Sequence, residues 1–211
     1  MNSYLISSSK KSSGKTILSI GMCSAICSFK KVVAPFKKGP DYIDPLWLSK
    51  ASSKNCYNLD FYNMTNSEIK NLYSRNILNA DVSIVEGNKG LFDGISADGS
   101  DSNAALSKLL KLEVILILDC TGTTRGVAPL LSGYKAFDKK IKYKGVVLNN
   151  IAGQRHEEKI LTAIKEYTDL DVIGSINKNN NLNIFEQHLG LEPAFQKQNL
   201  NKIIKNITEI I

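Results

Sequence analysis

Histidines, cysteines and long apolar runs are scarce in this 211-residue chain, and each shortage excludes something. No apolar run approaches the roughly 20 residues needed to cross a bilayer. The N-terminus also lacks the apolar core of a secretory leader. The expectation is a cytoplasmic protein with no membrane partner. The four cysteines, Cys23, Cys27, Cys56 and Cys120, form no C-x-x-C pair, and no His–Cys cluster is spaced like a metal site. Cys23 and Cys27, four apart on an expected helix, read as buried thiols, which fits a reducing compartment. The two histidines, His156 and His188, have no visible acid–base partner and read as structural. There is no internal repeat. The nearest approach to low complexity is Asn177 to Asn183, read as a mobile loop. Basic residues outnumber acidic ones to give a net charge of +7, but no run interleaves them with aromatics. They fall in short pairs such as Lys10-Lys11, Lys37-Lys38 and Lys139-Lys140. That pattern argues against nucleic acid and leaves phosphate-bearing or polycarboxylate ligands, with most lysines simply solvated.

What is present is a globular composition, 43% hydrophobic and 22% charged, in a length that suits one domain with its own core. Strand-like runs at Tyr4-Leu5-Ile6, Val32 to Phe36, Val82 to Val85, Val114 to Leu118, Val146 to Leu148 and Val172-Ile173 alternate with helical patterns. The helical stretches are Ser12 to Ser28, Asn66 to Asn79, Ser102 to Leu112, Gly126 to Phe137 and one before Val172. The alternation predicts an α/β fold: a doubly wound, mainly parallel sheet with helices on both faces. In such folds ligands sit at the carboxyl ends of the strands. Residues 1–195 read as one domain. Residues 196–211 read as an amphipathic packing helix, with Leu200, Ile203, Ile204, Ile207 and Ile211 on one face.

The first chemical motif is Ser8-Ser9-Lys10-Lys11-Ser12-Ser13-Gly14-Lys15-Thr16, between a strand and a helix. It is a P-loop of the P-loop NTPase type, with Ser9 where a glycine is usual. Small residues let backbone N–H groups curl around phosphates, and the following helix N-terminus favours negative charge. Lys15 is expected on the β- and γ-phosphates of ATP. The Thr16 hydroxyl is expected on Mg²⁺, and Ser12, Ser13 and Gly14 form the cradle.

Two more strand ends carry charge. Pro35-Phe36-Lys37-Lys38-Gly39-Pro40-Asp41-Tyr42-Ile43-Asp44-Pro45 offers Lys37 to neutralise a phosphate or a carboxylate. It also offers Asp41 to bind Mg²⁺ or orient a nucleophile. Val85-Glu86-Gly87-Asn88-Lys89-Gly90-Leu91-Phe92-Asp93-Gly94 places Glu86 at a strand end, where a carboxylate completes the shell of a hard cation. Its glycines allow close approach of backbone to ligand. Arg125, after Asp119-Cys120-Thr121-Gly122, is either a substrate-carboxylate ligand or half of a structural ion pair.

The second and third motifs resemble the PFKxGPDYIDP and VEGxxGLxDG segments of the cobyrinic (hydrogenobyrinic) acid a,c-diamide synthases. Weaker matches continue at Asp119 to Arg125, at Leu148-Asn149-Asn150 and at Glu186 to Leu191, so the resemblance runs from Tyr4 to Leu191. Lys89, Asn150 and Gln187 depart from the pattern. The family also resembles dethiobiotin synthetase. The resemblance implies ATP-dependent amidation of corrinoid carboxylates through an acyl-phosphate. It implies Lys15, Lys37 and Asp41 in catalysis, Thr16, Asp41 and Glu86 on Mg²⁺, and Asn149 at the nucleotide. It further implies Lys37, Tyr42, Asp44, Asp93 and Arg125 at the substrate. No segment resembles the glutaminase domain that usually follows, so ammonia is expected from solution or from a separate glutaminase subunit. Lys10 resembles the extra lysine of partition-type ATPases, which reaches phosphate across a homodimer interface; the alternative is a solvated lysine. A partition-type nucleotide switch and a nucleotide-binding remnant of the synthetase are the competing readings.

Overall fold

A computed structural model describes residues 1–179 and 200–211. The Glu186–Leu191 match, His188 and the part of the asparagine-rich stretch beyond Asn179 lie outside them. Seven strands form one sheet in the order β3-β2-β4-β1-β5-β6-β7. The strands are β1 (Asn2–Ser8), β2 (Val33–Lys38), β3 (Tyr57–Leu59), β4 (Val82–Glu86), β5 (Glu113–Asp119), β6 (Tyr143–Ile151) and β7 (Val172–Asn177). Every pairing is parallel. The central strands are near-continuous apolar runs because both faces are covered. Val114, Leu116 and Ile117, for example, are wholly buried.

Helices α1 (Lys15–Ser28) and α2 (Ile43–Ser52) cover one face together with the C-terminal helix α7 (Leu200–Ile210). Helices α3 (Asn66–Asn76), α4 (Asn103–Leu110), α5 (Val127–Phe137) and α6 (Gln154–Tyr167) belong to the other. Strand alternation feeds two cores accordingly. Val33, Ile84, Ile115 and Trp47 lie in the α1 layer, and Phe36, Val85, Leu116 and Leu131 in the α3–α6 layer. The predicted elements are present, with α3 and α4 ending two or three residues earlier than their apolar spacing suggested.

Two elements were not legible. The Gly-Pro-Asp segment after β2 turns directly into α2, started by Asp41 Oδ1, which accepts from the Ile43 and Asp44 backbone N–H groups at 2.9 and 3.1 Å. Strand β3 has three residues, too short for any periodicity, and exists because it pairs with Phe36 to Lys38. The predicted terminal helix is α7, with Ile204 and Ile207 buried against α1; Ile211 touches Gly21 but stays 38% exposed. All four cysteines are free; Cys23 is buried as expected, whereas Cys27 is only half-buried.

Candidate functional site

Register brings the three motifs together. Glu86 pairs with Ile6 on one side and Lys37 on the other, so the ends of β1, β4 and β2 stand level. The P-loop leaves β1 two residues later and enters α1 at Lys15. Gly14 takes φ +95°, and Ser12, not Ser9, is the serine forced into the left-handed region, at φ +56°. The usual glycine at position 9 is therefore dispensable in this loop, and the Ser9 carbonyl instead accepts from the Tyr134 hydroxyl at 3.2 Å. Lys15 is buried and its Nζ donates to Ser8 Oγ at 2.9 Å. Asn149 braces the loop from β6: its Nδ2 donates to the Ser13 carbonyl at 3.0 Å and stands 2.5 Å from where a Gly14 Cβ would be.

Glu86 is the hub. It is wholly buried, and its Oε1 accepts from Thr16 Oγ1 at 2.6 Å and from Lys37 Nζ at 2.9 Å. Its other oxygen, Oε2, is buried and has no hydrogen-bond partner among the described residues. Lys37 also donates to Asp44, and its Nζ stands 4.0 Å from Asp41 Oδ2. Burial alone would lower the Lys37 amine, but the Glu86 and Asp44 carboxylates more than reverse that and hold it above its ordinary value. Burial raises the Asp44 carboxyl, Glu86 raises it further, and Lys37 opposes both. The site thus holds a fixed cation between two carboxylates, with a third, Asp41, at its edge.

The remaining expected residues are arranged around this group. Tyr42 is 74% exposed at the start of α2. Asp93 is exposed and accepts from the Gly90 N–H at 3.1 Å, so it shapes the loop after β4. Arg125 is engaged by Tyr167. Its guanidinium lies 4.8 Å from the centre of the Tyr167 ring and donates to that hydroxyl at 2.8 Å. Lys10 Nζ pairs with Asp119 of its own chain at 3.0 Å. Asp119 also accepts from Asn150 Nδ2 at 3.0 Å and from Thr121. Burial tends to raise the Asp119 carboxyl, but the hydrogen bonds from Asn150, Thr121 and Lys10 hold it down at about 2. Asn150 itself takes φ +60° to make its bond. His156 is structural: Nδ1 accepts from the Ala152 N–H at 3.0 Å while Nε2 contacts the Thr123 carbonyl.

Sequence reading missed Asn103. Wholly buried, it donates to Ser7 Oγ at 3.2 Å and to the Gly90 carbonyl at 2.9 Å, tying the loop after β4 to β1. Its only sequence signal was its place one residue past the Ser102 cap of α4. A cavity of about 680 Å³ opens at the ends of β6 and β7, lined by Gly153, Gln154, Glu157, Asn177 and Lys178 among others.

Fitness for Mg²⁺ is tested by the buried, unpartnered Glu86 Oε2 beside the Thr16 hydroxyl, an oxygen pair of the kind a hard cation takes. Among the described residues no group of three His, Cys, Asp or Glu side chains forms a complete protein cage. Among the described residues no helix is long and apolar enough to cross a membrane.

The chain is also similar to known proteins. The chain is 44% identical over 193 residues to a cobyrinate a,c-diamide synthase of Magnetococcus marinus, which spans 92% of this chain and 41% of that protein. It is 38% identical over 199 residues to one of Methanococcus vannielii, covering 93% and 44%. The chain therefore spans less than half the length of these relatives. Its fold is shared with the cell division protein MinD of Aquifex aeolicus, at a TM-score of 0.62 and 15% identity over 99% of this chain and 96% of that one. Residues 4–190 match a family described as the CobQ/CobB/MinD/ParA nucleotide binding domain. With that match spanning the P-loop, the Glu86 hub and Asn149, the chain belongs to the CobQ/CobB/MinD/ParA nucleotide-binding family.

Proposed function

We propose that this chain is the ATP-binding, carboxylate-activating part of a cobyrinate a,c-diamide synthase. The observation that carries the reading is Glu86, which joins the P-loop Thr16 to Lys37 of the PFKKGPDYIDP segment. A plain nucleotide switch needs the P-loop but not a buried lysine–carboxylate cluster level with it. Synthase relatives at 44% and 38% identity support the same assignment.

In this reading Lys15 and the N–H groups opening α1 hold the β- and γ-phosphates, and Ser12, Ser13 and Gly14 shape the cradle. Asn149 keeps that cradle closed, and the cavity beside β6 and β7 suits the nucleoside. Thr16 and Glu86 would hold Mg²⁺, which supplies charge neutralisation at the phosphates, with Asp41 next in reach. Lys37 positions the acceptor carboxylate. Tyr42, Asp44 and Asp93 border its approach. The acceptor oxygen attacks the terminal phosphorus and ADP leaves. Ammonia then adds to the acyl carbon and phosphate departs, leaving the amide. Such transfer depends on positioning and electrostatics more than on covalent help, which fits a site of fixed charges.

The test is incubation with Mg-ATP, ammonium and cobyrinic acid, reading phosphate release against a mass change of one amidation. Stoichiometric release and amidation support the reading. ATP turnover that ignores the corrinoid but responds to DNA or a protein partner overturns it in favour of a partition-type switch acting through Lys10. Nucleotide binding without any turnover overturns it in favour of an inactive remnant.

A further inference from the structure

We propose that Lys38 is a second carboxylate-binding cation of the acceptor site, holding an arm of the polycarboxylate other than the one that reacts; this rests on the carboxylate-activating function above. Strand β2 ends in two successive lysines, and strand alternation sends them to opposite faces of the sheet. Lys37 enters the α1–α2 layer, where Glu86 and Asp44 accept its protons. Lys38 follows Phe36 into the α3–α4 layer, under the loops after β3 and β4.

Acceptors are scarce there. Lys38 is 4% exposed, and among the described residues its ammonium makes one hydrogen bond, to Asn88 Oδ1 at 3.3 Å. The Phe61 ring centre stands 5.9 Å away. Among the described residues no carboxylate comes within 4.0 Å of it. Asp60 and Asp101 act only from farther off. Their oxygens already accept from Tyr62 and Asn63, and from Ile95 and Ser96, respectively. Lys89 and Lys37 add repulsion, and burial pushes the amine below its ordinary value.

An ammonium with three donors and one long, neutral acceptor is an expensive thing to bury. A carboxylate arriving over Asn88 supplies both the missing acceptor and the missing charge. The nucleotide phosphates are not its partner: the P-loop follows β1, with β4 between it and β2, and the Thr16–Glu86–Lys37 chain lies on the other face. An acceptor already held by Lys37 has further carboxylates to offer, since the relatives' name specifies amidation at two positions.

Steady-state kinetics of the full chain with Mg-ATP, ammonium and cobyrinic acid, for wild type, Lys38→Met and Lys38→Arg, test this. The expected result is a rise of about tenfold or more in KM for cobyrinic acid in Lys38→Met. Its kcat and its KM for ATP should stay within about twofold, and Lys38→Arg should recover most of the loss. An unchanged KM for cobyrinic acid overturns the proposal, as does a parallel rise in both KM values, which would mark general distortion. If thermal unfolding shows that Lys38→Met does not fold, Lys38→Gln is judged by the same split. If the wild type has no corrinoid-dependent turnover, the functional reading has failed separately. Equilibrium dialysis of cobyrinic acid then decides Lys38 alone, and equal binding by wild type and Lys38→Met overturns it.

Discussion

Glu86 shows how much a single carboxylate can organise when it is buried at a strand end. One oxygen serves both Thr16 and Lys37, and the other has no partner among the described residues. Glu86→Gln keeps the shape and an acceptor oxygen toward Thr16 and Lys37, but it removes the charge that balances Lys37 and puts an amide N–H₂ where an oxygen would be offered to Mg²⁺. We expect ATP turnover to fall by about a hundredfold or more, with a shift to higher Mg²⁺ requirement in a metal titration and a smaller loss in nucleotide affinity. Asp119 gives a prediction of opposite character. Its folded-state carboxyl sits at about 2 against an ordinary 3.8, so its contribution to stability is complete above the ordinary value and lost as pH falls through about 2. Denaturant unfolding of wild type and Asp119→Asn should therefore differ most at neutral pH and converge toward pH 2; a constant gap would refute the assignment. Glu86 was legible as a strand-end acid within a glycine-rich motif. Asp119 was legible only as part of a weak match, because its partners Lys10 and Asn150 come from distant segments and only Thr121 is local.

Among elements, the ones that were hard to read are the ones the site depends on. Helix α2 has almost no amphipathic stripe: Pro45, Trp47, Leu48 and Ala51 are buried and its start is an Asp-capped turn. Its place is decided by packing on α1, and through Asp44 it sets one side of Lys37. The loop after β4 was legible as a glycine-rich motif, but its closure on the P-loop was not. A Cβ at Gly90 would stand 2.4 Å from Asp93 Oδ2 and 2.8 Å from the Ser9 carbonyl, so the loop closes on the P-loop only as glycine. Gly90→Ala is expected to weaken nucleotide binding several-fold by calorimetry while α/β circular dichroism is retained. Helix α7 was easy to read, its isoleucines recurring on one face. Ile207 is wholly buried in the α1 layer, and Ile207→Ala should cost about 2–5 kcal/mol in urea unfolding; a loss under about 0.5 kcal/mol would mean that α7 does not belong to the cooperative core.

For the whole molecule, function is a matter of what meets at one edge of one sheet. The chain spans less than half of the length of its synthase relatives. Under the proposed function we expect ammonium to support amidation and glutamine alone to give none, as read by mass spectrometry of the corrinoid; glutamine-driven turnover by this chain alone would contradict that. The sequence by itself determined the fold class, the strand and helix alternation, and the three strand-end motifs, because period-2 and period-3.6 burial and the glycine loops are local signals. It also determined the chemical types at the site: a phosphate loop, two carboxylate-bearing turns and a lysine. Only the tertiary structure decided who partners whom. The parallel register sets Lys37 beside Glu86 and Glu86 beside the P-loop strand. Packing turns Arg125 onto Tyr167 and Lys10 onto Asp119. Alternation at the end of β2 separates two neighbouring lysines into different environments, one flanked by carboxylates and one nearly without acceptors among the described residues. These outcomes depend on contacts between residues far apart in sequence, such as Thr16 with Glu86, 70 positions away, and Lys10 with Asp119, farther still, and no local pattern encodes them.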